Sequence, residues 1–321
     1  MTTPILNVND LVVDYRVGLR KAVRAVAGVS FGIESGGVLA LIGESGSGKS
    51  TIARAICGLG PISAGRIQFN GVDLSATPDR AKAAGAAGIQ IVFQDATSAL
   101  DPRWPVWRSV VEPRVLRMPA NKATMMAFAI AVLRRVGLHA DLALRRPSQL
   151  SGGQRQRVTI ARALAAEPKL IVLDEAVSAL DVSVRNEILL LLDRLRREDG
   201  LTYLFVSHDM GAVAQIATDI VVLYLGKIVE RGDARRVISA PAHPYTQALI
   251  AAVPSLGTAT VDAATKGEIG DPANPPAGCR FHPRCRFAIA RCQTIDPALA
   301  TYDGRLAACI RLNEIGAETK R

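Results

Sequence analysis

The sequence predicts an α/β protein built on a largely parallel sheet. Three observations lead to this prediction. The continuous apolar run Val38–Ile42 is typical of a buried strand, and it passes through a glycine-rich loop directly into a helix-like segment. In the second half of the chain, strand-like and helix-like stretches alternate, as they do where crossover helices connect parallel strands. Over the first 40 residues apolar and polar side chains alternate, which indicates β-strands ahead of that core.

The individual elements follow in chain order. Further strands are predicted at 66–69, 89–93, 170–173, 201–206 and 220–225, and helices near 152–166, 184–198 and 211–217. Between about 95 and 157 we predict an inserted helical subdomain, because the apolar period there is helical and prolines interrupt it. Prolines and glycines become frequent after residue 254. We therefore divide the chain into a main domain, 1–254, and a linker with a small cysteine-rich extension, 255–321.

Composition restricts the class of protein. Of the 321 residues, 49% are hydrophobic and 21% are charged, which is ordinary globular usage and argues against disorder. Aromatic residues are scarce at 4%, which disfavours a protein that binds nucleic acid by stacking its bases. The net charge of +10 implies an anionic partner, either a nucleotide, a nucleic acid or an acidic membrane face. We find neither a membrane-spanning apolar stretch nor a secretion signal, so the chain is expected to be cytosolic.

The glycine-rich loop carries the most specific motif. Gly43-x4-Gly48-Lys49-Ser50 fits the phosphate-loop pattern and lies between a predicted strand and a predicted helix. Glycines let backbone N–H groups converge on phosphate oxygens, and the N-terminus of the following helix attracts the same anion. Lys49 would reach the outer phosphates, and the Ser50 hydroxyl would bind Mg²⁺. An ordinary Gly/Ser turn is the alternative interpretation.

Two adjacent carboxylates follow a later strand. Asp174 and Glu175 come directly after four apolar residues, at the strand end where α/β sheets place their ligand crevice. Asp174 would hold the Mg²⁺ through its water shell, and Glu175 would orient or deprotonate an attacking water. This arrangement suits phosphoryl transfer. Acids that merely cap a strand end are the alternative.

A second anion-ready helix start lies at Leu150-Ser-Gly-Gly-Gln154. A single nucleotide cannot easily use both helix starts unless one of them belongs to a neighbouring subunit, so the sequence implies a dimer. Taken alone, Ser151 could also be a plain helix N-cap.

The order of these motifs resembles the ATPase subunit of ABC transporters over roughly residues 5 to 254. The resemblance implies an ABC-type P-loop ATPase core with an N-terminal antiparallel β subdomain and an inserted helical subdomain, and it makes 1–254 a nucleotide-binding domain. ATP and Mg²⁺ are then the ligands. The residues that it implies for ATP binding are Tyr15, Gly43, Glu44, Ser45, Gly46, Ser47, Gly48, Lys49, Ser50 and Thr51.

The resemblance also assigns individual roles. Tyr15 would stack on adenine, and Gln94 in Val-Phe-Gln-Asp would join Ser50 and Asp174 at the Mg²⁺ and link the site to membrane subunits. His208 in Val-Ser-His-Asp would sense the γ-phosphate, so that Glu175, His208 and Gln94 form the catalytic set. Each of the three residues Tyr15, Gln94 and His208 also has a purely structural interpretation.

Members of this family place two ATPase subunits head to tail, and each ATP lies between the phosphate loop of one and the Leu-Ser-Gly-Gly-Gln segment of the other. The residues implied to contact the partner's ATP are Ser151, Gly152, Gly153, Gln154 and Asp181. Asp-Glu-Ala-Val stands where Asp-Glu-Pro-Thr is commoner, and both carboxylates are retained.

Several short sequence segments resemble those of the oligopeptide/dipeptide importer branch of the family. They include Ser98-Ala-Leu-Asp-Pro102, His243-Pro-Tyr-Thr-Gln-Ala-Leu249 and Gly278-Cys-Arg-Phe-His-Pro-Arg-Cys285. The resemblance implies a peripheral subunit on the cytoplasmic face of the cell membrane. Its partners would be a paralogous ATPase or a second copy, two permease subunits and an extracytoplasmic solute-binding protein.

Two alternative functions stay open. Relatives in this branch also import nickel or other small solutes. A nucleic-acid-directed ABC ATPase would explain the positive charge. However, this chain contains only one ATPase domain, whereas translation-type relatives have two, so no nucleic-acid partner is expected. Residues 103–146 contain nine basic side chains and two acidic ones, and they form either a contact face for the permease or a solvated surface.

The tail contains four of the five cysteines, Cys279, Cys285, Cys292 and Cys309. Their spacing does not match the paired C-x2-C of a zinc ribbon. Four thiolates could still hold a [4Fe–4S] cluster or zinc, or remain unligated. Members of the resembled branch can carry such a cluster here, so a [4Fe–4S] cluster is the favoured expectation. Cys57 is predicted to pack in the core.

Overall fold

Two β-sheets organise the chain. The computed structural model describes residues 4–17, 21–115, 118, 120–252 and 270–318. The first sheet is antiparallel with the strand order β2-β1-β4-β5. Its strands are β1 (Leu6–Val17), β2 (Lys21–Ile33), β4 (Ala64–Phe69) and β5 (Val72–Asp73). Leu6 and Val8 are buried, and beyond an irregularity in the strand register so are Leu11 and Val13, so the two-residue period holds on each side of the irregularity. The predicted N-terminal antiparallel β subdomain is confirmed.

The second sheet has the order β11-β12-β10-β9-β3-β8-β7-β6. Its strands are β3 (Val38–Ile42), β6 (Ile89–Val92), β7 (Leu170–Asp174), β8 (Thr202–Val206), β9 (Asp219–Tyr224), β10 (Lys227–Asp233), β11 (Ala300–Tyr302) and β12 (Arg305–Ala307). The pairs β6–β7, β7–β8, β8–β3 and β3–β9 are parallel. Every residue of β3, β7 and β8 is buried, as expected where helices cover both faces of a parallel sheet.

Ten α-helices lie within the described residues. They are α1 (Lys49–Ile56), α2 (Arg80–Ala87), α3 (Val106–Val115), α4 (Lys122–Arg135), α5 (Gly152–Leu164), α6 (Val182–Asp199), α7 (Met210–Ile216), α8 (Ala234–Ser239), α9 (Pro244–Ala251) and α10 (Leu312–Glu318). The predicted helical subdomain contains α3 and α4, and its proposed end at residue 157 falls inside α5. The proposed boundary at 254/255 lies outside the described residues.

The C-terminal segment is not a separate extension of the sheet core. Strand β12 pairs with β10 through Glu230↔Ala307 and Arg231↔Leu306, so the β11–β12 hairpin continues the main sheet. Arg305 lies 3.1 Å from Glu230, and their side chains are 4% and 0% exposed. Removing one partner of such a buried pair leaves an uncompensated charge. The sequence did not reveal this hairpin because strands of three residues are too short to show a period.

Candidate functional site

The phosphate loop connects β3 to α1 and requires its glycines. Gly43 has a φ of +148°, and a Cβ there would lie 2.2 Å from the carbonyl oxygen of Leu223. Gly48 has a φ of +106°, and its Cβ would lie 2.6 Å from the carbonyl oxygen of Ala25. No side chain caps the N-terminus of α1. The first N–H groups of that helix are therefore available to an anion.

Lys49 is folded back onto the loop. Its side chain is buried, and Nζ donates hydrogen bonds to the carbonyl oxygens of Gly43 at 2.8 Å and Glu44 at 2.9 Å. Burial lowers the pKa of Lys49, while the nearby carboxylates of Glu175, Asp174 and Glu44 oppose that shift. The ammonium group thus lies within the phosphate loop. The oxygens of a bound polyphosphate would replace the two carbonyl oxygens as its hydrogen-bond acceptors.

Ser50 and Asp174 meet across the sheet edge. The Ser50 hydroxyl donates a 2.8 Å hydrogen bond to Oδ1 of Asp174, whose residue is 6% exposed. Burial raises the pKa of the Asp174 carboxyl, and the bond from Ser50 partly offsets this. Hydroxyl and carboxylate oxygens are donors that Mg²⁺ accepts in phosphate sites. These two residues therefore fit a magnesium site.

Glu175 follows β7 in a strained conformation. Its φ is +51°, unusual for a residue with a side chain, and its N–H donates to the carbonyl oxygen of Val206 at 3.0 Å. His208 Nδ1 lies 3.4 Å from Glu175 Oε1. Gln94 donates to the Ser178 hydroxyl at 3.4 Å, and that hydroxyl donates to the Glu175 carbonyl at 2.9 Å. Gln94 and His208 are thus brought to Glu175 from two different loops.

A pocket of about 290 Å³ opens above the phosphate loop. It is lined by Tyr15, Ala25, Ser45, Gly46, Gly48, Lys49, Ser50, Thr51, Glu175 and Pro272. The structure therefore places Tyr15, residues of the phosphate loop and Glu175 around one pocket. Ala25 and Pro272 were not foreseen. Ala25 has no functional group that sequence reasoning could use, and Pro272 lies in the tail that was expected to be separate.

The segment Ser151–Gln154 begins α5 as a capping box. Ser151 Oγ accepts from the Gln154 N–H at 3.2 Å, and the Gln154 side chain accepts from the Ser151 N–H at 3.0 Å. A Cβ on Gly153 would lie 2.6 Å from Val184 of α6, so this glycine is needed for packing. Asp181 caps α6 by accepting from the Val184 N–H at 2.9 Å. In the described part of the chain, residues 151–154 are not among those that line the pocket at the phosphate loop.

The four tail cysteines border one narrow cavity. Cys279, Cys285, Cys292 and Cys309 line it together with Phe281 and other residues. Burial raises the pKa of Cys285 to about 11 and also raises the pKa values of Cys279 and Cys309. In the part of the chain that the structure describes, no group of three or more His, Cys, Asp or Glu side chains is arranged to hold a metal ion. Cys57 is buried in the core, as predicted.

None of the described helices is both long enough and apolar enough to cross a lipid bilayer.

Two protein families match different parts of the chain. The family described as "ABC transporter" matches residues 26–178, and "Oligopeptide/dipeptide transporter, C-terminal region" matches residues 229–292. A probable peptide ABC transporter ATP-binding protein of Sinorhizobium fredii is 44% identical over 89% of this chain and 82% of its own length. The dipeptide transport ATP-binding protein of Escherichia coli is 40% identical over 97% of this chain and 95% of its own length.

Solved structures share the fold. A dimeric ATP-binding cassette in a post-hydrolysis state bound to ADP and Pi has a TM-score of 0.64 and 28% identity, over 72% of this chain and 99% of that one. A component of an ABC transporter complex from Clostridium perfringens has a TM-score of 0.65 and 29% identity, over 74% and 91%. With the phosphate loop and the carboxylate pair placed at one sheet edge, these likenesses lead to one conclusion. The chain belongs to the ATP-binding subunits of ABC transporters and is an ATPase of that family.

Proposed function

We propose that the chain powers the import of di- or oligopeptides through a membrane ABC transporter. The observation that carries this proposal is the match of residues 229–292 to the C-terminal region of oligopeptide/dipeptide transporters, beyond the common cassette. Relatives described as peptide and dipeptide transport proteins support it over most of the chain. These relatives do not favour the alternatives, which were import of nickel or another small solute and a nucleic-acid-directed ATPase.

The proposed ATP site uses the residues of the pocket and its surroundings. The phosphate loop with Lys49 would hold the phosphates, Ser50, Asp174 and Gln94 would hold Mg²⁺, and Tyr15 would stack on adenine. Glu175 receives the proton of the attacking water, and His208 lies beside it on the side of the γ-phosphate. The contacts Ser50–Asp174 and His208–Glu175 support this assignment.

The site is completed by a second ATPase chain, either a paralogue or another copy. Ser151–Gln154 and Asp181 lie outside the lining of the chain's own pocket, as expected of residues that contact the ATP of a second chain. ATP clamped between two chains favours the closed dimer by its greater affinity for that state. Two permease subunits and an external solute-binding protein complete the assembly, with this chain on the cytoplasmic face of the membrane.

The helical segment 103–146 is proposed as the permease contact, although part of its charge is already paired. Arg114 lies 2.8 Å from Glu167 and Arg135 lies 2.5 Å from Asp199, both of which are outside the segment. The positive surface is therefore smaller than the residue count suggests.

Transport by the reconstituted assembly tests the cargo. Vesicles containing this chain, its partner ATPase and both permease subunits should accumulate a labelled dipeptide when ATP and the solute-binding protein are supplied. The same vesicles without ATP are the control. ATP-driven uptake of Ni²⁺ with no uptake of peptide would replace the peptide proposal by the alternative importer.

We also propose a [4Fe–4S] cluster at the four tail cysteines. The donor set supports the proposal, because the four cysteines line one narrow cavity together with Phe281, Phe287 and Ile315, and four thiolates are the usual ligands of such a cluster. Bound there, it would cross-link the C-terminal segment.

Metal analysis tests the cluster. Protein purified without oxygen should be brown and contain about four iron and four sulfide per chain. Cys285→Ser should lose both, whereas Cys57→Ala should keep them because Cys57 lies in the core away from this cavity. About one zinc per chain, or a colourless iron-free protein with full activity, would contradict the proposal.

A further inference from the structure

The C-terminal segment touches the phosphate loop through one arginine. Arg284 lies between Cys279 and Cys285 in sequence, within the short 3-10 turn His282–Arg284. Its guanidinium forms two hydrogen bonds with the carboxylate of Glu44, 2.6 Å from Nη1 to Oε2 and 2.9 Å from Nη2 to Oε1. The two residues are 240 positions apart. Glu44 immediately follows the first glycine of the loop that holds the phosphates.

The arginine is held firmly in place. Its side chain is 7% exposed, and Nη1 also lies 3.4 Å from the Tyr224 hydroxyl. The guanidinium packs near the rings of Tyr224 and Phe281, at 5.9 and 6.0 Å from their centroids. A parallel, two-bond contact of this kind fixes the direction of a carboxylate as well as its charge.

The backbone of Glu44 is fixed from the same side. Its N–H donates a 2.8 Å hydrogen bond to the hydroxyl of Tyr245, which belongs to an aromatic cluster with Tyr224 and Phe281. Pro272 lies beside Gly46, two residues further along the loop. The phosphate loop is therefore held by contacts from the C-terminal part of the chain.

The charge of Glu44 raises a problem for ATP binding. A carboxylate in a phosphate loop repels an incoming polyphosphate, and the charge of the Glu44 carboxylate also acts on the nearby Lys49. Arg284 supplies the opposite charge, and neither Arg284 nor Glu44 is among the residues that line the pocket. With that partner, the carboxylate is neutralised and turned from the place where the phosphates bind.

We propose that Arg284 is a positioning residue for ATP binding, which acts by neutralising and orienting Glu44 of the phosphate loop. The proposal rests on ATP binding at this loop, and it adds that the C-terminal segment sets the affinity of the site. Arg284 contacts the loop and not the nucleotide, so its loss raises the KM for ATP and leaves kcat nearly unchanged.

Nucleotide affinity and steady-state kinetics of four variants test this. Arg284→Gln should raise the Kd and KM for ATP about tenfold, because the bare Glu44 carboxylate then faces the anion. Glu44→Gln/Arg284→Gln should recover most of the affinity that Arg284→Gln loses, since the uncompensated charge is gone. Arg284→Lys should raise the Kd for ATP less than Arg284→Gln does, because lysine keeps the positive charge but loses the two-bond geometry that orients the carboxylate.

The matched control is Lys227→Met. Lys227 ties the same C-terminal segment to β10 through an ion pair with Asp296, and it is not among the residues that line the pocket. It should change the melting temperature without changing the KM.

Wild-type affinity in Arg284→Gln would overturn the inference, and so would a loss of affinity that persists in the double variant, because Arg284 would then act through the tail's fold. If wild-type protein bound no ATP at this loop, the proposed function would fail as well.

Discussion

Glu175→Gln is expected to bind ATP normally and to hydrolyse it about 10²- to 10⁴-fold more slowly, the usual contribution of a general base. The carboxylate lines the pocket and has His208 as its neighbour at 3.4 Å. Glutamine keeps the size and the left-handed backbone position but cannot take a proton from water. The affinity for ATP should therefore stay at the wild-type level in this variant, while the rate of hydrolysis falls.

The rate of phosphate release measures hydrolysis, and the molecular mass of the protein in the presence of ATP shows whether it is a monomer or a dimer. With its nucleotide unhydrolysed, Glu175→Gln should accumulate as a closed dimer, with itself or with its paralogue, whereas wild type should not. Glu198→Gln, an exposed carboxylate on α6, is the control and should behave as wild type. Wild-type turnover in Glu175→Gln would remove Glu175 from the proposed role.

Lys49→Met is expected to weaken ATP binding by about 10²-fold or more, since charge-assisted bonds to a polyphosphate are among the strongest polar contacts. The buried ammonium lies between the loop carbonyls and three carboxylates. Methionine fills much of the same volume without the charge. It also leaves the carbonyls of Gly43 and Glu44 without this donor, at about 1–3 kcal/mol of stability if they stay dry.

Binding of a fluorescent ATP analogue measures the effect, and a melting curve checks that the variant is folded. Lys122→Met removes an exposed lysine at the start of α4, with the same change in net charge, and should leave the affinity unchanged. A folded Lys49→Met protein with wild-type affinity would show that the phosphates bind elsewhere.

The parts of the site that are local in sequence were predictable from it. The glycines of the phosphate loop specify a backbone that side chains would block, as the close approaches of Leu223 and Ala25 show. A fully apolar strand followed by Asp174 and Glu175 places both carboxylates at the edge where parallel strands end. The Ser151 cap was likewise foreseen as one interpretation, because N-cap chemistry depends on four consecutive residues.

The sequence alone thus determined the fold class, the phosphate loop and the carboxylate pair, because each depends on short-range backbone preference and on the period of apolar residues. Only the tertiary structure decided that the tail joins the main sheet through β12 and that Arg284 meets Glu44. It also decided that Pro272 lines the pocket. These contacts join residues far apart in the chain, and no local pattern encodes them. Which residues meet in such contacts depends on how the strands and the buried charges pack, and that packing is a property of the folded chain as a whole.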